Sequence, residues 1–160
     1  MRELSQIRDA VVSALAAALD AYPDQRARRY GCPVAAVAVE TAESRTVGFC
    51  NYLGEVFDTG AGAPRELYGK QLEAVISIEI RGQRAADCEQ GCETAAEVLL
   101  ERLPAGIRPG ELNWEALTWE RETGLFLRRG RLRCRAYFLA RAEEGDTVFL
   151  DFRLKGAVTT

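Results

Sequence analysis

The chain has 160 residues, a length of about one domain, with 48% hydrophobic and 28% charged residues. That balance excludes a disordered chain or a fibre, and no apolar run approaches the roughly 20 residues of a spanning helix. Lys and Arg number 21 against 24 Asp and Glu, a net charge of -3, which argues against a general nucleic-acid binder. There is no histidine, which removes His-dependent nucleophile activation, imidazole acid–base chemistry and every His-containing metal site. The N-terminus shows no cleavage-site pattern, so no signal peptide is expected.

In chain order, Leu4, Ile7, Val11, Ala14, Leu15, Ala18 and Tyr22 recur at helical spacing and predict a helix over 4–21 that Pro23 stops. A basic link follows over 24–31. The valine-rich stretch 33–41 predicts a strand, 42–45 a turn, and Thr46 to Tyr52 the returning strand of a hairpin. Residues 53–69 hold four glycines and no clear period, which predicts a long flexible loop. Residues 71–82 alternate, with Leu72, Ala74, Ile76, Ile78 and Ile80 on one side, and predict a half-buried strand. A second helix is predicted over 85–103, its apolar stripe formed by Cys88, Cys92, Ala95, Ala96, Leu99 and Leu103. Residues 104–111 read as a Pro/Gly turn and 112–121 lean to strand, with a turn at Thr123-Gly124. Strands over 130–142 and 147–156, joined by a turn at 143–146, close the chain. Runs of strands with two helices predict an α+β domain: a mostly antiparallel sheet carrying both helices on one face.

Five cysteines, scattered and odd in number, point to free thiols in a reducing compartment. Cys88 and Cys92 share a helix face beside Asp87 and Glu89, and no cysteine pair has the spacing of a zinc knuckle. Neither a metal nor a redox site is expected. The glycines near Lys70 do not make a phosphate loop, because Gln71 and a strand follow the lysine. No cofactor and no catalytic set is expected, so the chain reads as a non-enzyme.

Three features point to protein contacts. Arg129, Arg131, Arg133 and Arg135 alternate, so they share one sheet face. Either Glu79, Glu73 or Asp151 answers them on neighbouring strands, or a partner does. Glu89, Glu93, Glu97 and Glu101 line one face of the second helix, where like charges four residues apart repel. Of these, Glu93, Glu97 and Glu101 are candidates to meet arginines of a second subunit. Phe57 and Tyr68 are aromatic anchors within the 53–69 loop, a segment suited to ordering against a partner.

The segments "KQLEAVISIEIRGQRAADCEQGCETAAEVLLERL" and "RGRLRCRAYFLARAEEGDTVFLDFRLKG", after the opening helix, hairpin and glycine-rich loop, are the basis of a family likeness. The layout resembles the tail terminator (tail-completion) proteins of tailed bacteriophages and prophage-derived contractile tails, over about residues 4–156. The resemblance implies an α+β subunit of a hexameric ring in the virion tail, assembled in the bacterial cytoplasm. That ring would end tube polymerisation, in contractile tails cap the sheath, and offer the docking surface for the head or neck. Its partners would be copies of itself, as a homohexamer in the assembled tail with a monomer in solution as the alternative, the tail tube protein, in contractile tails a sheath protein, and a neck or head-completion protein, with no membrane and no sequence-specific nucleic acid. The alternative is another small head–tail joining or neck protein, or a cytoplasmic adaptor.

Overall fold

A computed structural model describes residues 2–23, 33–46, 52–60, 62–140 and 147–149. The elements run α1 (Arg2–Ala16), β1 (Asp20–Pro23), β2 (Val34–Thr46), β3 (Tyr52–Asp58), β4 (Ala63–Gly82), α2 (Ala85–Glu101), β5 (Ile107–Trp114), β6 (Thr118–Glu120), β7 (Leu125–Ala140) and β8 (Thr147–Phe149). The eight strands form one sheet whose main path is β1-β2-β4-β7-β5. Among the described residues, only β1 and β2 pair in parallel and every other pairing is antiparallel. The expected α+β layering is therefore the observed one.

Both helices lie on one face. Ile7, Val11 and Leu15 of α1 meet Cys88, Cys92, Ala95, Val98 and Leu99 of α2 and the alternating Leu72, Ala74, Ile76, Ile78 and Ile80 of β4 in one core. Leu132, Cys134, Ala136 and Phe138 of β7 complete it. Each fully buried Val, Leu, Ile or Phe side chain there is worth about 1.5–3 kcal/mol relative to its exposed state. Gly91 lets α2 approach the sheet: a Cβ at that position would stand 2.9 Å from Ile80 Cγ2.

Four expectations change. The first helix ends at Ala16, five residues before the predicted end. The amides of Ala18 and Leu19 both donate to Leu15 O at 3.0 Å, and the chain then pairs with β2. Ala21 enters the main core while Tyr22 packs on Val34 and Ala36 in a small second cluster, an alternation only a strand can make. The predicted turn at 42–45 is absent, because β2 continues to Thr46 in register with β4. Its charges pair along and across the sheet: Arg45 bridges Glu43 on its own strand at 3.7 Å and Glu73 on β4 at 3.3 Å.

The predicted loop at 53–69 is instead the β3–β4 hairpin, whose last pair is Asp58 with Ala63 and in which Gly62 stands at φ 66°. Glycine supplies that left-handed turn, and a register shift between Tyr52 and Gly54 breaks the alternation that would have signalled a strand. The predicted turn at 104–111 mostly belongs to β5, an edge strand bulged between Pro109 and Leu112. The basic link at 24–31, the turn at 143–146 and most of the last predicted strand lie outside the described residues. So do Cys32 and Cys50.

Burial explains the thiols. Cys88, Cys92 and Cys134 are free and buried, and Cys88 Sγ donates to Ile80 O at 3.3 Å. Burial pushes the Cys88 thiol up; burial, then the neighbouring Cys88, pushes Cys92 up to about 12; burial alone takes Cys134 to about 12. These thiols hold their protons in the native state after unfolded thiols, near 8.5, have lost theirs. Their contribution is thus complete below pH 8.5 or so and disappears as pH rises towards 12. Denaturant titrations should show stability falling above about pH 8.5, with a shallower fall in Cys134→Val. Coincident alkaline limbs for variant and wild type would contradict this origin.

Candidate functional site

The face of the sheet away from the helices carries the charged residues. On β4 it presents Gln71, Glu73, Val75, Ser77, Glu79 and Arg81, because the alternate residues fill the core. On β7 it presents Arg129, Arg131, Arg133 and Arg135, all exposed. Strand register decides their partners. Glu79 stands opposite Arg129 and bridges it at 3.2 Å; Glu73 stands opposite Arg135 and bridges it at 3.3 Å. Arg131 reaches Glu40 on β2 at 2.9 Å and Glu115, after β5, at 3.8 Å. Glu40 sits at the β2 register shift between Val39 and Thr41. These exposed bridges are each worth about 0–1 kcal/mol, so they organise the surface more than they stabilise the fold.

Arg133 differs from its neighbours. It stands opposite Val75 and makes no ion pair with any described residue. It lines an open groove of about 620 Å³ with Glu43, Glu73, Arg108, Glu111 and Arg135. Arg108 lies 5.8 Å above the Tyr137 ring. The β5 bulge forms one wall, where a Cβ on Gly110 would stand 3.1 Å from Arg133 O. A second depression of about 340 Å³ continues along the same strands past Ser77 and Gly130.

The acidic stripe lies on the opposite layer. Glu89, Glu93, Glu97 and Glu101 are exposed on α2, away from its buried Cys88, Cys92, Ala95 and Leu99. Arg102 answers Glu97 at 2.7 Å; Glu93 and Glu101 have no partner among the described residues. Leu100, beside them, is 47% exposed. One subunit therefore cannot bring its own two stripes together. Phe57 and Tyr68 have their backbones in the β3–β4 hairpin, opposite Pro64 and Tyr52; their side chains lie outside the described part of the structure.

Sequence reasoning missed three features of these surfaces. Arg81 reads as one more outward charge but is 1% exposed. Trp119 is 57% exposed and sets its ring edge-on to Phe126 at 4.9 Å; its stretch has too little periodicity to show which side it faces. Glu40 becomes a partner of Arg131 only through a bulge that no local signal marks. Among the described residues, no three Cys, Asp or Glu side chains stand close enough to hold a metal ion, and no helix is long and apolar enough to cross a membrane.

No protein-family model matches the sequence, and no curated protein is similar to it. Among solved structures, a chain from the virion of native gene transfer agent (GTA) particle is similar at 16% identity and a TM-score of 0.35. The alignment covers 83% of this chain and 90% of that one. A superposition that loose carries no functional argument.

Proposed function

We propose that the chain is a structural subunit of a phage-type virion tail that forms a ring on the last ring of the tail tube. The ring ends tube polymerisation and presents the surface on which the neck or head docks. In this reading the chain binds and shapes, and carries out no reaction. The observation that carries it is the placement of the two charged surfaces on opposite layers of the fold. Among the described residues, nothing covers the charged face of the sheet and Glu93 and Glu101 of α2 have no partner on the far side, while the β3–β4 hairpin prolongs the sheet. Contact surfaces on opposite sides of a subunit suit head-to-tail association, which closes into rings. The tail-terminator likeness of the β4–α2 and β7 segments supports the same reading.

The test is removal. Particles assembled without this chain should carry overlong, uncapped tubes under the electron microscope, and supplying the chain should restore uniform length. Tails of normal, uniform length in its absence would exclude a terminator.

A further inference from the structure

Strand register divides the outer face by charge. Across the groove it sets Glu43 of β2 opposite Glu73 of β4, Glu73 opposite Arg135 of β7, and Arg135 opposite Arg108 of β5. The row therefore reads acid, acid, base, base, with a like-charge pair on each side of the β4–β7 boundary. Like charges directly opposite one another are unfavourable. Within the chain, Arg45 bridges both acids and Glu73 bridges Arg135.

The division runs the length of the face. Among the described residues, β2 and β4 present Glu40, Glu43, Glu73 and Glu79 against the exposed Arg45, net -3; the buried Arg81 is taken up by Glu79 and Glu120. On β7 and β5 stand Arg108, Arg129, Arg131, Arg133 and Arg135 against Glu111 and, just past β5, Glu115, net +3. The face is neutral as a whole and split along the β4–β7 boundary. A partner of one sign would be repelled by half of it. A second copy, turned by 180° about an axis along that boundary, lays its arginine half over the glutamate half. The rotation keeps position along the strands, so every row stays in step.

We infer that two copies pack outer face to outer face about this two-fold axis, Glu43 of each meeting Arg108 of the other. The contact is isologous and closes at two copies. The groove makes each face concave, so its sides meet first. There β2, with Thr41 and Glu43, lies over β5, with Glu111 and Arg108, and each Thr41 hydroxyl faces a carboxylate to which it can donate. Four strands about 4.8 Å apart and eight residues of about 3.3 Å give roughly 500 Å² per copy. That is the low end of specific interfaces, so the dimer dissociates readily. It covers the face that the ring reading needs open, and a chain held in the dimer is withheld from the ring. The dimer itself rests on strand register and not on that reading.

Sedimentation equilibrium of the full chain tests it. Wild-type protein should form dimers and nothing larger at low salt, and monomers as salt screens the contact. Glu43→Arg alone and Arg108→Glu alone each set like charges against each other twice per dimer. Each should weaken dimerisation by at least about tenfold while the circular dichroism spectrum is unchanged. The double variant Glu43→Arg, Arg108→Glu exchanges the two signs within one chain and should dimerise like the wild type. A photoreactive phenylalanine analogue at position 41 of otherwise wild-type chain should crosslink to the Glu111 peptide of another copy, which checks the contact should a variant fail to fold. The inference is overturned if the wild type stays monomeric at every concentration or grows beyond dimers at low salt. It is equally overturned if either single variant dimerises like the wild type, if the double variant stays monomeric, or if the crosslink falls elsewhere. None of these results bears on the terminator reading, and normal tails in particles lacking the chain would sink that reading without touching the dimer.

Discussion

Replacing Arg81 by methionine is expected to cost about 3–5 kcal/mol of folding free energy, the range for removing one partner of a buried ion pair. The side chain is 2% exposed. Its Nε donates to Glu120 Oε1 at 3.1 Å, and its Nη2 donates to Glu79 Oε2 at 2.8 Å and Glu120 Oε2 at 3.2 Å. Burial alone would lower the guanidinium pKa, but Glu120 and Glu79 outweigh it and hold the group above its ordinary value. The pair is also a fastener: Glu120 belongs to the three-residue strand β6 and accepts a further bond from Thr123 Oγ1 at 2.7 Å. Methionine fills much of the volume and answers neither carboxylate. Glu79 keeps Arg129, so the larger loss falls on Glu120, which gives up both bonds it accepts from Arg81. The double variant Arg81→Met, Glu120→Leu should recover much of the loss, because removing both partners does not strand the Glu120 carboxylate. Urea unfolding measures both. A cost below about 1 kcal/mol for the single change would mean that the network behaves like a surface bridge.

The second large effect is expected at Gly82, where β4 hands over to α2. A Cβ at that position would lie 2.7 Å from Cys88 N, 3.1 Å from Cys88 Cα and 3.2 Å from Asp87 C. All three are backbone atoms, and the Cys88 amide is already engaged with Arg84 O at 3.1 Å. The helix start has to move, so Gly82→Val should cost about 3 kcal/mol, the upper part of the overpacking range. Gly91→Ala is a useful comparison. Its Cβ would meet Ile80 Cγ2 at 2.9 Å and Pro33 Cβ at 3.0 Å, side-chain atoms that can shift, and alanine recovers up to about 1 kcal/mol of helix propensity. Thermal unfolding should therefore rank wild type above Gly91→Ala, and Gly91→Ala well above Gly82→Val. Equal melting of the two variants would show that α2 does not start against β4 as described.

The elements most legible in the sequence are those whose burial is one-sided. Ile76, Ile78 and Ile80 alternate because helices cover one sheet face and water the other; α2 reads clearly because Cys88, Cys92, Ala95 and Leu99 fall on one stripe. Where both faces are covered, or neither is, the period fails. Val34 to Val37 are buried on both sides of β2, and in the hairpin Gly54 and Gly62 serve a bulge and a turn. The polar run Ala42 to Arg45 looks like a turn only because its charges pair across strands. At the candidate site, the alternating arginines were visible, but strand register was not. Register alone separates Arg133, opposite Val75, from Arg129 and Arg135, which face glutamates.

The long pairing of β4 with β7 also fixes an order of events in folding. Its register joins Gly82 to Phe126 and Tyr68 to Ala140, positions 44 and 72 residues apart in the chain. Non-local ladders of this kind are slow to form, because loop closure must precede any gain from contact. During synthesis, β4 can pair with β2 and β3 as soon as it emerges, since both precede it. Its other edge has to wait through α2, β5 and β6. The nascent sheet therefore carries an unpaired β4 edge, next to isoleucines the finished core buries, for the time it takes to make those elements, at about 5–20 residues per second. The most aggregation-exposed surface of this molecule is one that the finished fold no longer shows.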